Sequence, residues 1–218
     1  MKPLLPLILR FLIYALTMLG IVLVIRHDFA DALVDEYSAI EIFQETLLAL
    51  SIIVLIFLTF NYSGYKLFYK VLSGVLAVHF IREFDFWLNE RLFDNAWQVF
   101  AGIVVIFTSY FIFKNFKKLV SELVAISKTY SFAIFFIGFI ILHTFSRLFG
   151  SKKIWNWMLE PIYNEYVITV NGEKSISLAE YVFPMKTGAQ ESVELLAYTI
   201  MFIGVIEMLI FTIKSSRK

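Results

Sequence analysis

The stretch His79–Trp97, HFIREFDFWLNERLFDNAW, begins inside one hydrophobic segment and ends at the start of the next. It places His79, Arg82 and Glu83 three and four residues apart, and residues at these spacings share one face of a helix. Charged side chains at membrane depth usually face the protein interior and mark functional sites. We therefore expect the rest of the chain to supply partners for these three groups.

The composition is that of an integral membrane protein. Of the 218 residues, 60% are hydrophobic, 17% are charged and 24 are Phe, whereas soluble domains average about 45–50% apolar and about 25% charged residues. Cysteine is absent, which excludes disulfides, thiol nucleophiles and thiolate metal sites. Nothing in the sequence indicates a nucleic-acid partner.

Six hydrophobic segments predict an all-α polytopic membrane protein with six transmembrane helices. Their centres are Phe11–Ile25, Thr46–Phe60, Leu67–Ile81, Val99–Phe113, Ser131–Phe145 and Leu195–Ile213. A helix needs about 20 residues to cross a bilayer, so most segments must recruit flanking residues, including charged ones. The third segment gives the weakest signal because Lys70 and His79 interrupt it. The first has no cleavage site and is predicted to be a retained helix, not a signal peptide.

Lys and Arg residues set the predicted orientation, because they favour the cytoplasmic side when they lie near helix ends. With the N-terminus inside, 11 of the 19 basic residues fall on that side. They are Lys2, Arg10, Lys66, Lys70, Lys114, Lys117, Lys118, Lys128, Lys214, Arg217 and Lys218. The prediction is an N-in, C-in protein with both termini in the cytoplasm, which we place in the bacterial inner (plasma) membrane.

A single domain, residues 1–218, is predicted, because no linker, repeat or low-complexity tract divides the chain. Its outer segment 150–190, between the fifth and sixth helices, is expected to be structured. Ile154–Leu159 is typical of an interfacial helix, which we expect Pro161 to end. Asn171-Gly172 between β-branched residues is a strong signal for a β-hairpin, expected over the outer mouth of the bundle; a solvated loop is the alternative.

Ionisable groups of four helices reach one level when about 20 residues are counted from the cytoplasmic ends. Facing inward, they would form a polar chamber below the outer surface: Glu45, His79, Arg82, Glu83, His143, Arg147 and Glu194. His79, Glu83 and His143 are a candidate ligand set for a divalent metal, with Zn²⁺, Mn²⁺ or non-haem Fe as the cofactor. The other four, Arg82, Arg147, Glu45 and Glu194, are candidate ligand-binding residues, since two arginines can clamp an anionic lipid-type group.

Three functions fit this chamber, and no HExxH, P-loop or Gly-rich motif decides between them. The first is a ligand-binding membrane protein, with a metal-dependent enzyme acting on lipids as its catalytic form. The second is a non-catalytic assembly subunit whose charges only fix helix packing. The third is a subunit of a proton- or cation-coupled transporter, although the apolar helix cores argue against a monomeric pore. The expected partners are membrane lipids and either identical copies or another membrane protein.

A second polar feature is predicted near the cytoplasmic face. Arg10 and Glu207 lie at similar depths in the first and last helices, so an ion pair between them is expected, helped by the length of the arginine side chain. The alternative is a cytoplasmic stop on a proton or ion path.

Overall fold

The computed structural model describes residues 4–30, 38–167, 169–170 and 173–216. The described residues are 89% helical, which confirms the all-α prediction. The longest helices are α1 (Leu4–Ala30), α2 (Ala39–Asn61), α3 (Lys66–Glu83), α5 (Ala96–Lys114) and α10 (Leu178–Ser216). The shorter ones are α4 (Asp85–Arg91), α6 (Phe116–Ile126), α7 (Tyr130–Ile141), α8 (Arg147–Phe149) and α9 (Lys152–Tyr166), and a π-helical turn, Leu142–Ser146, joins α7 to α8.

Within the described residues, five helices are long and apolar enough to cross a membrane: α1, α2, α5, the continuous run Tyr130–Phe149 and α10. The predicted third span, α3, has 18 residues, or about 27 Å of helix. It is not among the five, because Lys66, Lys70, Arg82 and Glu83 give it four charges in that length. Six crossings therefore require α3 to span the bilayer despite its charges.

The chain divides into two compact units. The first comprises Met1–Ile40 and Ile140–Ala197, and the second comprises Glu41–Phe139 and Tyr198–Lys218. The assignment of residues 1–218 to one domain stays a prediction.

In the second unit, α3 is held by protein contacts along most of its length. It buries Leu67, Phe68, Tyr69, Leu72 and Leu76, and it packs mainly against α5 and α6. The ammonium group of Lys70 lies 3.3 Å from the ring centroid of Phe111 on α5, a cation–π contact that shields the charge. These contacts explain how so polar a sequence can form a helix among apolar ones.

The N-terminus of α3 is capped by a carboxylate from another helix. Glu122 of α6 is 7% exposed, and its Oε2 accepts the backbone N–H of Phe68 at 2.8 Å. The first N–H groups of a helix have no partner within the helix and carry partial positive charge. Glu122 therefore stabilises the start of α3 and fixes α6 beside it.

Helices α7 and α10 approach each other closely at a glycine. A Cβ atom at Gly204 would lie 2.6 Å from the backbone N of Phe135 and 2.7 Å from its Cα. Ser131 and Gly138, on the same face of α7, are also buried. Small residues at such positions let helix backbones pack closely in membranes.

In the first unit, α1 extends beyond its apolar part. It continues through His27 and Asp28 to Ala30, so His27 belongs to a helix. The buried Asp28 accepts the backbone N–H of Ile40 at 2.7 Å and thereby caps the start of α2.

The prediction that Pro161 ends the interfacial helix is wrong, because α9 continues to Tyr166. Proline removes one backbone donor, and contacts beyond it hold the last turn. The buried Tyr163 donates its hydroxyl hydrogen to the carbonyl of Ile176 at 2.6 Å, and the N–H of Val167 bonds to the carbonyl of Tyr163 at 3.1 Å.

Two short strands follow α9. In β1 (Thr169–Val170) and β2 (Glu173–Lys174), Thr169 pairs with Lys174 and Val170 with Glu173 in antiparallel register. The Asn171-Gly172 turn lies outside the described residues, so the predicted hairpin and its place over the outer mouth stay predictions. The chain then enters α10 through a capping box, in which the N–H of Ser177 bonds to Glu180 at 2.7 Å and the N–H of Glu180 to the Ser177 hydroxyl at 3.2 Å.

Candidate functional site

Three polar side chains of the second unit meet where α3 ends. Nη2 of Arg82 donates to Oε1 of Glu83 at 2.6 Å, and the hydroxyl of Tyr198 on α10 donates to the same carboxylate oxygen. Nη2 of Arg82 also lies 3.5 Å from the Tyr198 hydroxyl oxygen. Tyr198 is 1% exposed, whereas the side chains of Arg82 and Glu83 are 27% and 14% exposed. A partly shielded ion pair is therefore tied to a buried phenol.

His79 lies against the same tyrosine, one turn before Glu83. Its ring packs edge-on against Phe139, with centroids 6.4 Å apart, and against Tyr198, with centroids 6.3 Å apart. The imidazole thus lies between two aromatic rings near the C-terminal end of α3, on the helical face that it shares with Arg82 and Glu83.

Glu45 of α2 adds a second carboxylate to this group. It is half-buried, and it lies close enough to Glu83 for the two carboxylates to interact electrostatically. With both carboxylates ionised and Arg82 charged, the three groups carry a net charge of −1. Four predicted chamber residues, Glu45, His79, Arg82 and Glu83, therefore belong to this one unit, and we call them, with Tyr198, the α3 site.

Tyr198 is absent from the predicted site. The signal that could have found it is its four-residue spacing from Glu194, which puts both residues on one face of α10.

The other three predicted residues belong to the first unit, where Glu194 is 2% exposed. Its Oε1 accepts hydrogen bonds from the Ser146 hydroxyl and, at 3.1 Å, from the side-chain amide of Gln190. Gly150 leaves room for that amide, since a Cβ there would lie 2.5 Å from the Gln190 oxygen. Two neutral donors, the hydroxyl of Ser146 and the amide of Gln190, thus bond to the carboxylate of Glu194.

The side chains of His143 and Arg147 are exposed, and the inward orientation predicted for them stays a prediction. The buried positions of this segment are taken by Leu142 and Ser146, the first and last residues of the π-helical turn. A π turn adds a residue to the helix and changes which side chains point inward.

The metal prediction gains no support from this arrangement. Among residues 4–30, 38–167, 169–170 and 173–216, no three His, Asp or Glu side chains are grouped so that they could hold a metal ion. The predicted ligands are divided, with His79 and Glu83 in the second unit and His143 in the first. A divalent cofactor therefore stays a prediction.

Known proteins provide no guide to this chemistry. No protein-family model, curated protein or solved structure matches the chain. The α3 site must be interpreted from its own groups, which are two carboxylates, a guanidinium, an imidazole and a phenol. The carboxylate and phenol oxygens can bind a cation, and the carboxylates and the imidazole can pass protons between neighbours.

The predicted ion pair between Arg10 and Glu207 joins residues of different units and stays a prediction. Glu207 is 1% exposed within α10, so its carboxyl group does lie inside the protein.

Proposed function

We propose that this integral membrane protein binds a cation, either a proton or Na⁺, at the α3 site, as a subunit of a cation-coupled transporter would. The observation that carries the proposal is the contact of Arg82 and the buried Tyr198 with one oxygen of Glu83, with Glu45 as a second carboxylate that interacts electrostatically with Glu83. With both carboxylates ionised, the one excess negative charge of this partly shielded site would attract a cation strongly, because the local dielectric constant is lower than in water. Ionisable residues within membrane helices commonly form proton relays and ion paths.

The same geometry disfavours the anionic, lipid-type ligand that the two arginines suggested. Arg82 already forms an ion pair with Glu83, and Arg147 is exposed in the other unit. An anion entering the α3 site would also meet Glu45. A cation would meet the carboxylates of Glu45 and Glu83, while the charge of Arg82 is directed to Glu83.

Substitution of either carboxylate is expected to abolish cation binding. We would measure thermal unfolding of the purified protein in NaCl against choline chloride at equal ionic strength, and again across pH in choline chloride. Na⁺ at 100 times its dissociation constant would stabilise the wild type by about 2.7 kcal/mol, and Glu45→Gln or Glu83→Gln would remove that gain. The exposed Glu90 of α4 provides the matched control, Glu90→Gln.

The two arms of this experiment separate the ions. A gain in thermal stability in NaCl identifies Na⁺ as the ion. A gain in thermal stability as the pH falls, which both variants lose and which needs no Na⁺, identifies the proton. If the wild type and Glu45→Gln respond equally to both, the proposal is wrong.

The second candidate is a non-catalytic assembly subunit, and α1 favours it. Along its described length, Leu4–Ala30, α1 buries only the side chains of Ile21 and Asp28. Lipid or a helix of another membrane protein, including an identical copy, would cover the rest. In that case neutralising Glu45 or Glu83 would change complex formation and leave both cation arms unaffected.

We further propose six crossings, with α3 as the third and both termini in the cytoplasm of a bacterial inner membrane. Its 18 residues give about 27 Å of helix, close to the ~30 Å hydrocarbon thickness. The buried face of α3 and the contact of Lys70 with Phe111 reduce the cost of its charges. The basic residues in the short loops support this orientation.

Single cysteines introduced into this cysteine-free chain test the topology without background labelling. A membrane-impermeant maleimide applied to spheroplasts is expected to label Asn95→Cys and Ser175→Cys. Ser63→Cys and Ser127→Cys should react only after permeabilisation. All four positions are exposed. A cysteine that does not react therefore lies on the inaccessible side of the membrane and is not simply buried in the protein. Equal labelling of Ser63→Cys and Asn95→Cys would show that α3 does not cross.

A further inference from the structure

A small groove lies between α9 and the first turns of α10, within the first unit. Its cavity volume is about 140 Å³, and it is lined by Lys152, Asn156, Ala179, Val182, Phe183 and Lys186. Two residues of α9 four apart face a stripe of α10 at i, i+3, i+4 and i+7. These spacings place each set on one face of its helix, so the groove is formed by two facing stripes.

The groove combines an apolar floor with a lysine from each helix. Val182, which is 2% exposed, forms the floor, and the more exposed Ala179 and Phe183 extend it to the edge of the groove. The ammonium group of Lys186 lies 5.8 Å from the ring centroid of Phe183, which places it beside the apolar wall. A ligand in this groove would therefore meet two positive charges and hydrocarbon together.

The acidic residue at the start of α10 is engaged elsewhere. Glu180 accepts hydrogen bonds from the backbone N–H and the hydroxyl of Ser177, at 2.7 and 2.8 Å. Its carboxylate is thus directed toward the N-terminus of its own helix. Lys152 and Lys186 consequently form a local positive region on the predicted outer side. In the N-in orientation, that side carries 16 of the 18 acidic residues, all except Glu122 and Glu207.

Large apolar side chains are exposed on α9 and beside the groove. Trp157 is 79% exposed and Met158 is 50% exposed, and Phe183 at the edge of the groove is 58% exposed. Tryptophan favours the headgroup level of a membrane, and exposed apolar residues beside lysines are typical of interfacial helices. The groove therefore opens where lipid headgroups are available.

We propose that this groove binds one anionic phospholipid, with its phosphate between Lys152 and Lys186 and the first carbons of an acyl chain on Val182 and Phe183. A volume of about 140 Å³ is below the ~300–1,000 Å³ of pockets that enclose whole small molecules. It suits a headgroup and the start of a chain. The site shares no residue with the α3 site, so this proposal and the proposed function stand or fall separately.

Native mass spectrometry of the detergent-purified protein tests the lipid site. Phosphatidylglycerol and phosphatidylcholine would be titrated in parallel, each with and without inorganic phosphate. The wild type should retain phosphatidylglycerol in preference to phosphatidylcholine. Each lysine should contribute roughly fivefold in affinity, the size expected of one basic residue at an anionic membrane surface. Lys152→Gln with Lys186→Gln should therefore weaken retention roughly 25-fold.

Two further variants make the result specific. Lys153→Gln removes a neighbouring exposed lysine that does not line the groove, and it should leave retention unchanged. Ala179→Phe fills the groove without changing charge and should weaken retention as much as the double lysine variant. Thermal unfolding of each variant checks that the fold persists.

Three results would overturn the proposal. One is equal retention of phosphatidylglycerol by the wild type and the double lysine variant. Another is equal retention of the two lipids by the wild type. The third is full displacement of phosphatidylglycerol by millimolar inorganic phosphate, which would indicate a site for a free anion.

Discussion

Gly204→Ala is expected to lower the free energy of unfolding of the second unit by about 3 kcal/mol, the upper end for overpacking a well-packed core. The added Cβ would lie 2.6 Å from a backbone nitrogen of Phe135 and 2.7 Å from its Cα. A backbone cannot rotate away as a side chain can, so α7 and α10 would have to separate. Gly204→Leu would require a larger separation and is expected to prevent folding.

The matched control is Gly102→Ala on α5, in the same unit. A Cβ at Gly102 would have no neighbour within 4 Å, and alanine is favoured over glycine in a helix by about 1 kcal/mol. That variant should be as stable as the wild type or slightly more stable. Denaturant unfolding of both variants in one detergent makes the comparison. Equal stability of Gly204→Ala and Gly102→Ala would contradict the close approach of α7 and α10.

Arg82→Met is expected to reduce stability by about 2 kcal/mol, because it leaves the carboxylate of Glu83 without its cation. Removing one member of a fully buried ion pair costs about 3–5 kcal/mol. The smaller value allows for solvent, since Arg82 and Glu83 are 27% and 14% exposed. The double variant, Arg82→Met with Glu83→Gln, should recover most of the loss. It removes both charges and keeps an oxygen that accepts the hydroxyl hydrogen of Tyr198.

Arg91→Met, which removes an exposed arginine from α4, is the control and should be neutral. The four proteins would be compared by thermal unfolding at constant salt and pH. A double variant less stable than Arg82→Met would show that Glu83 stabilises the fold through contacts other than this ion pair. Cation binding measured on the same samples separates the role of Glu83 in stability from its role in binding. The double variant should recover stability but should not recover cation binding.

The apolar helices were predictable because hydropathy is a local property. The centres predicted for α1, α2, α5 and α10 all lie within helices that can cross a membrane. How α3 packs among apolar helices was not predictable, because this depends on contacts between distant residues. Phe111 contacts the ammonium group of Lys70, and Glu122 accepts the N–H of Phe68 from 54 positions away. Pro161 shows the converse, since the local rule that proline ends a helix was overridden by the contacts of Tyr163.

The α3 site was predictable in part for the same reason. Spacings of three and four residues correctly placed His79, Arg82 and Glu83 on one face. Tyr198 completes the group from 115 positions away along the chain, and no spacing rule reaches that far. The inward orientation predicted for His143 and Arg147 assumed an uninterrupted α-helix, which the π turn Leu142–Ser146 breaks.

That π turn also marks where this membrane helix can change length. A π turn holds an extra residue that an α-helix of the same height does not need. Deleting one residue there, such as the exposed Thr144, would restore α-helical geometry with little change in span. Arg147 and its C-terminal neighbours would then keep the faces that they now present, because the π turn absorbs the extra residue within its own wider turn. The segment Leu142–Ser146 is thus a point at which the chain can change length by one residue without reassigning the faces of the residues that follow.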